Sequence, residues 1–277
     1  MINKRISQIR RFVITSIAAT AIGCPFAMSY AKTPLNEVGV SSEDHQNWSG
    51  TFIGGEFGGG WGRSDYSSSE AFGSTLNTDP VLTSATFSQS MSGVLGGIQI
   101  SHNWQRNGFI FGLETALDGV DFSSTSTNFF SGPVAASAAP GVLFENNVTS
   151  KTTYHWLYTL TPKIGFSFHH FLFFGKLGFG ITQALIHVSA PAADYSLGAN
   201  DPVPASSFSE RHDLIGLDVS AGIDYLLHNW IFGAEYDYLY FGTTAFGYQN
   251  SDGVFGTSNI KTSMNSLKAI IGYKISA

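Results

Sequence analysis

The chain has very little cysteine, few charges and no long apolar run. Its 277 residues include a single cysteine, Cys24. An intrachain disulfide framework and a cysteine-based metal cluster are therefore excluded. Only 12% of the residues are charged and the formal net charge is -6. This charge argues against a nucleic-acid partner, which requires a basic face. No apolar run reaches the roughly 20 residues of a membrane-spanning helix, but alternating membrane strands would not produce one.

The N-terminal segment has the pattern of an export signal. The basic residues Lys4, Arg5, Arg10 and Arg11 precede the mostly apolar run 12–28, and Ser29-Tyr30-Ala31 forms a small-x-small cleavage pattern. We predict a signal peptide over residues 1–31, cut after Ala31, and a polar periplasmic lead-in over residues 32–47. An alternative is lipidation of Cys24, because Ala21-Ile22-Gly23-Cys24 partly resembles a lipoprotein box. With either cut the mature protein leaves the cytoplasm.

The segment from 214 to 241 has the clearest strand pattern. It contains two alternating arms that are separated only by His228-Asn229. In each arm, apolar and aromatic residues take one parity, and glycines and carboxylates take most of the other. Because successive side chains of a strand point to opposite faces, each arm has one apolar and one polar face. Two long arms joined by a short turn predict a hairpin of a transmembrane barrel.

Eight such segments define the predicted fold. They span about residues 50–63, 90–104, 108–122, 152–168, 171–186, 214–227, 230–241 and 262–275. Three short links (105–107, 169–170 and 228–229) alternate with four long links (64–89, 123–151, 187–209 and 244–261). Outer-membrane barrels have short periplasmic turns and long outer loops. We therefore predict an all-β fold for residues 48–277, an eight-stranded antiparallel transmembrane β-barrel with four long surface loops.

The fourth segment has two local features. His155 falls in the same parity as Thr159 and Lys163, which places it on the polar face. Pro162 lacks the N–H group that a strand ladder needs, so we predict a bulge or a local break there.

Charged residues of the polar faces are predicted to line the lumen. They are Glu56, Glu114, Asp118, Lys163, Lys176, Asp218, Asp224, Glu235, Asp237, Lys268 and Lys274. An eight-stranded barrel is only wide enough for its interior side chains to fill. The favoured interpretation is therefore a plug of ion pairs. The alternative is a narrow water path or gated pore, in which the excess of carboxylates would favour cations.

Two further groups of residues have the chemistry of a possible site. Asp218 with Asp224, or Glu235 with Asp237, could form acid/base pairs, but structural ion pairs are the better interpretation, and no catalytic residue is predicted. His155, His187 and His212 fall near the outer ends of three segments and could bind a metal or heme iron at the outer rim. No spaced histidine pair of a zinc motif occurs, and no metal site is predicted.

The start of the first strand resembles a known family. Asn47-Trp48-Ser49-Gly50-Thr51-Phe52-Ile53-Gly54-Gly55, followed by Gly58-Gly59-Gly60-Trp61-Gly62, is similar to the opening W-x-G-x-Y/F-x-G-G segment of the small alphaproteobacterial outer-membrane surface antigens. That porin-like family includes hemin-binding and immunogenic outer-membrane proteins. The resemblance implies an eight-stranded barrel inserted by the barrel-assembly machinery, among outer-membrane lipids, in a Gram-negative bacterium.

The combined expectation is a non-enzymatic integral outer-membrane surface protein with limited porin-like permeability, possible host factors as partners and no nucleic-acid partner. The second hypothesis is heme or hemin binding at the outer rim, with heme as the only candidate cofactor. A lipid-modifying outer-membrane enzyme is the least favoured alternative.

Overall fold

Eight long antiparallel strands form one closed barrel, which confirms the predicted fold class. Each strand pairs with the next, and β8 pairs with β1. The strands are β1 (Gly50–Phe72), β2 (Val81–Arg106), β3 (Phe109–Pro133), β4 (Leu143–Phe168), β5 (Phe171–Ala190), β6 (Ser206–Leu227), β7 (Trp230–Gln249) and β8 (Phe255–Ser276). The computed structural model describes residues 46–72, 81–133, 143–190, 206–249 and 255–276. The predicted signal peptide, Cys24 and most of the lead-in lie outside them.

The strands are longer than the sequence pattern predicted. They contain 20 to 26 residues, and most residues assigned to the four long surface loops belong to strands. For example, β1 continues to Phe72 and β2 begins at Val81, so most of the predicted link 64–89 is paired strand. The Ser- and Thr-rich composition of these segments suggested loops. Their polar side chains nevertheless fit a strand, because the backbone groups are satisfied by inter-strand hydrogen bonds.

The three short links are two-residue turns at one end of the barrel, which we call the turn end. Asn107, His169 and His228 have positive φ values of 51°, 52° and 58°, and Gly108 has φ 81°. Two-residue hairpin turns of this kind require positive φ, which suits Asn-Gly particularly well. The first turn is Asn107-Gly108, slightly later in the chain than the predicted link 105–107.

A register shift in β4 corrects the prediction for His155. The shift lies between Tyr154 and Leu157, which both point inward. Because a bulge adds a residue to one strand, it reverses the parity beyond it, and His155 is exposed instead of sharing the inward face. At Pro162 the register does not shift, but the ladder with β5 has the local break that was predicted. Leu160 pairs with Phe179 and Lys163 with Lys176, whereas Thr161 and Pro162 have no partner on β5.

The outer surface of the barrel is apolar over one continuous band. Every strand contributes exposed large side chains, among them Phe57, Ile98, Leu113, Ile164, Leu177, Leu217, Phe232 and Leu267. Trp61, Trp104, Trp230, Tyr238 and Tyr273 lie near the margins of this band. The described part of the chain contains no helix with the length and hydropathy of a transmembrane span.

Candidate functional site

A layer of charged side chains fills the middle of the lumen, and we call it the charged layer. Ten of the eleven residues predicted for the lumen are buried, at 1% to 5% exposure. They are Glu56, Glu114, Asp118, Lys163, Lys176, Asp218, Asp224, Glu235, Asp237 and Lys268. The alternation of the strands places them there, because they share the inward parity on β1 and β3 to β8.

Lys274, the eleventh, lies outside the charged layer. It is half-buried near the turn end of β8, and its Nζ donates a hydrogen bond to the backbone oxygen of Asn47 at 2.8 Å. It therefore ties the end of the last strand to the segment that precedes β1.

An alternating chain of lysines and glutamates crosses the charged layer. Glu114 is 2.6 Å from Lys163 through Oε2 and 2.6 Å from Lys176 through Oε1. Lys176 also contacts Glu235 Oε1 at 2.6 Å. Lys163 in addition lies over the ring of Phe174, 4.4 Å from its centroid. Four strands are thereby connected through fully desolvated ion pairs, which depend on good geometry to offset the cost of burial.

The series of lysine–glutamate contacts ends at Lys268 on β8. Its Nζ lies 2.9 Å from Asp237 Oδ2, 3.2 Å from Glu56 Oε2 and 3.3 Å from Glu235 Oε1. Ser266 Oγ donates a further hydrogen bond to Asp237 Oδ2 at 2.8 Å. A single ammonium group thus serves three carboxyl groups.

The remaining acids of the charged layer have no lysine of their own. Asp118, Asp218 and Asp224 make no ion pair with another described residue, although Ser220 Oγ donates to Asp218 at 2.9 Å. Seven buried carboxyl groups face three buried ammonium groups, an excess of four. Because an unpaired buried charge is costly, part of this excess must be protonated or hydrated.

Two apolar layers enclose the charged layer, and the sequence interpretation missed both. The turn-end layer consists of Trp48, Phe52, Ile110, Leu172, Phe174, Leu226 and Ile231. The upper layer consists of Met91, Leu95, Val120, Phe122, Tyr154, Leu157, Ala184, Leu214, Leu239, Phe241 and Met264. The alternation of the sequence already indicated both layers. Leu226 lies two residues from Asp224 and Leu239 two residues from Asp237, so each leucine shares the inward face of its strand with the acid.

Above the upper apolar layer, hydroxyl and amide groups replace charges. Gln89 Oε1 accepts a hydrogen bond from Ser124 Oγ at 2.9 Å, and Gln89 Nε2 donates to the backbone oxygen of Ser150 at 3.1 Å. The lumen therefore has neutral polar groups on the far side from the turns.

On the outer face at this height, a hydrogen bond from Ser88 and the contact with Arg63 lower the pKa of Asp65.

A small cavity lies beside the charged layer. A cavity of about 10 Å³ is lined by Gln99, Ser101, Asn103, Lys163 and Asp224, among others. This volume corresponds to about one water molecule. This cavity therefore has room for a single water among these side chains.

The three histidines predicted at the outer rim lie on neighbouring strands. His187 Nδ1 is 2.7 Å from Ser209 Oγ, and His212 Nε2 is 4.0 Å from Glu210 Oε2. His155 is exposed beside the β4 bulge. Within the described ranges, no group of three or more His, Cys, Asp or Glu side chains is arranged to hold a metal ion. Heme binding stays a prediction.

Three of the four carboxyl groups in the two predicted acid pairs have structural partners. Asp218 is held by Ser220, Glu235 by Lys176 and Lys268, and Asp237 by Lys268 and Ser266. Asp224 lies closer to the turn end, opposite Leu172 and Gly233. These carboxyl groups are enclosed between the apolar layers.

Known proteins give only distant likenesses. No family model and no curated protein matches the chain. Among solved structures, OprG from Pseudomonas aeruginosa is 15% identical over 83% of this chain and 97% of its own, with a TM-score of 0.39. Ail, the attachment invasion locus protein of Yersinia pestis, is 14% identical over 77% and 98%, with a TM-score of 0.28. Neisserial surface protein A is 17% identical over 78% and 97%, with a TM-score of 0.25.

Proposed function

We propose that this chain is a non-enzymatic integral surface protein of a Gram-negative outer membrane, with a plugged lumen. The distribution of polarity carries the proposal. Large apolar side chains are exposed on every strand, while ten charged side chains are buried inside. A water-soluble barrel would expose the charges and bury the apolar band, because hydrophobic burial is the main favourable term in its folding. A lipid surround favours the arrangement found here.

The dimensions of the apolar band fit a membrane. On β3 the exposed apolar positions run from Phe109 to Leu117, which matches the roughly 9–11 residues of a membrane strand. Beyond it, Asp121 and Ser123 are exposed and polar. A closed barrel also leaves no unpaired strand edge in the lipid.

The non-enzymatic part of the proposal is supported by the lumen. Its carboxyl groups are engaged in ion pairs or enclosed between apolar layers, so a substrate has no route to them in this conformation. A porin-like path would require these side chains to move. Membership of the alphaproteobacterial surface-antigen family and a host-facing role stay proposals, supported by the segment from Asn47 to Gly62.

An arginine placed on the lipid face tests membrane insertion. Leu113 is 45% exposed in the middle of the band on β3. Leu113→Arg should destabilise the inserted barrel by about 2–4 kcal/mol, because a cation at the bilayer midplane is poorly solvated. The measurement is the fraction of folded protein in vesicles, read from the gel shift of unheated samples across a urea series.

Ser123→Arg is the matched control. Ser123 is exposed on the same strand beyond the band and pairs with Ser92 and Thr153. It should change stability by about 0.5 kcal/mol or less. Equal effects of the two arginines, or folding without detergent or lipid, would contradict the membrane assignment.

A further inference from the structure

Two buried carboxyl groups meet in the lumen across a glycine. Glu56 on β1 and Asp118 on β3 both pair with Gly97 on β2, from opposite sides. Both side chains are buried on the inward face, on either side of this glycine. A Cβ atom on Gly97 would lie 2.3 Å from Asp118 Oδ1. The missing side chain at position 97 therefore lets the two acids approach each other.

A proton stabilises two carboxyl groups that are buried side by side in this way. Two ionised carboxylates have only acceptor oxygens, so neither can donate to the other. With both ionised, Glu56 Oε1 and the two oxygens of Asp118 have no hydrogen-bond donor among the described residues, and Glu56 Oε2 faces only the shared ammonium group of Lys268. Glu56 is 4% exposed and Asp118 is 1% exposed, so bulk water does not solvate either carboxyl group. One proton between the groups supplies an O–H donor and removes one buried charge.

The surrounding charges do not neutralise both acids. Lys268 on β8 faces Glu56 at 3.2 Å, but it also contacts Asp237 and Glu235 on β7. Lys176 on β5 is held by Glu114 and Glu235. The acid pair therefore shares part of one ammonium group with two further carboxyl groups.

We propose that Glu56 and Asp118 form a proton-binding site that holds one proton at neutral pH. This site makes the stability of the folded barrel depend on pH. The unfolded chain has ionised carboxyl groups at neutral pH. The folded barrel then binds one more proton than the unfolded chain, so its stability falls as pH rises. At acidic pH, where both states are protonated, this contribution is fully present.

Infrared spectroscopy of the folded full-length protein in lipid vesicles tests the proton directly. A protonated carboxyl group has a carbonyl band separate from that of carboxylates. Glu56→Gln and Asp118→Asn should each reduce this band at neutral pH by one group per barrel. Asp121→Asn, an exposed acid on the same strand, should leave it unchanged.

The pH dependence of unfolding gives a second readout. Over the pH range in which the folded barrel holds one proton on this pair, the unfolding equilibrium constant should rise about tenfold per pH unit because of this site. Asp118→Asn removes this contribution, because its amide donates to Glu56 at any pH, whereas Asp121→Asn keeps it. Glu56→Gln provides the same test if Asp118→Asn fails to fold. An undiminished band in the folded variants, or slopes equal to that of the wild type, would overturn the proposal.

Discussion

At the scale of single residues, burial decides what a charge does in this protein. Arg63 and Asp65 form an ion pair at 2.7 Å, but their side chains are 62% and 42% exposed. Glu114 makes two contacts of similar length with Lys163 and Lys176, and these side chains are 3% to 4% exposed. An exposed pair competes with water and salt, whereas a buried charge that loses its partner finds no substitute.

Glu114→Gln should therefore be among the more damaging single changes. It removes the anion between two buried lysines, and Lys163 has no other ion pair with a described residue. We expect a loss of about 3–5 kcal/mol in the free energy of unfolding, measured by urea titration in vesicles. Arg63→Ala, the exposed control, should cost about 1 kcal/mol or less. Similar losses for the two variants would show that the charged layer is hydrated.

At the scale of strands, the alternation of side chains places some glycines on the lumen face and others on the lipid face. Gly55 and Gly97 lie on neighbouring rungs of the β1–β2 ladder, yet they differ in the space that a side chain would meet. A Cβ on Gly97 would lie 2.2 Å from the backbone oxygen of Leu117, whereas at Gly55 the nearest atom is 3.8 Å away. The strands approach closely on the inside of the curve and diverge on the outside.

Alanine should destabilise the barrel at Gly97 and have little effect at Gly55. Gly97→Ala should destabilise the barrel by about 1–3 kcal/mol, because the strands or the Asp118 carboxyl group must shift. Gly55→Ala should change stability by about 0.5 kcal/mol or less, since its side chain enters open space. The comparison uses the urea midpoint of the gel shift. A tolerated Gly97→Ala would contradict the close packing of β2 against β3.

At the scale of the whole barrel, the lumen is layered. Along β3, Ile110 lies in the turn-end apolar layer, Glu114 and Asp118 in the charged layer, Phe122 in the upper apolar layer and Ser124 among the neutral polar groups. Trp48 closes the turn end, and its backbone N–H donates to Gln105 Oε1 at 2.7 Å. We expect this sequence of layers to block ions, because apolar packing lies on both sides of the buried charges.

The layered lumen predicts a barrel that does not conduct ions. In planar bilayers at neutral pH the purified protein should show no steady conductance, because an ion would have to displace both apolar layers. An open porin in the same bilayers shows that the assay detects channels. Reproducible current steps from the folded protein would contradict the plug and support the permeability expected from sequence.

The sequence by itself determined the barrel and most of the charged layer. Strict alternation in eight segments, with short and long links in turn, was enough to place Glu56, Glu114 and Lys176 inside, because strand parity is a local property. Strand ends were less well determined. Serine and threonine suit both loops and strands, and only pairing with a neighbour distinguishes the two.

Only the tertiary structure decided which groups meet. Inter-strand register brings Glu56 and Asp118 together over Gly97, although 62 positions separate them in the chain. The β4 bulge turns His155 outward, and no pattern in the sequence located that bulge. The apolar layers followed the same parity as the charges, but closure of the barrel brought their side chains together across the lumen. Parity depends on the backbone alone, whereas register, bulges and lumen packing depend on all eight strands at once.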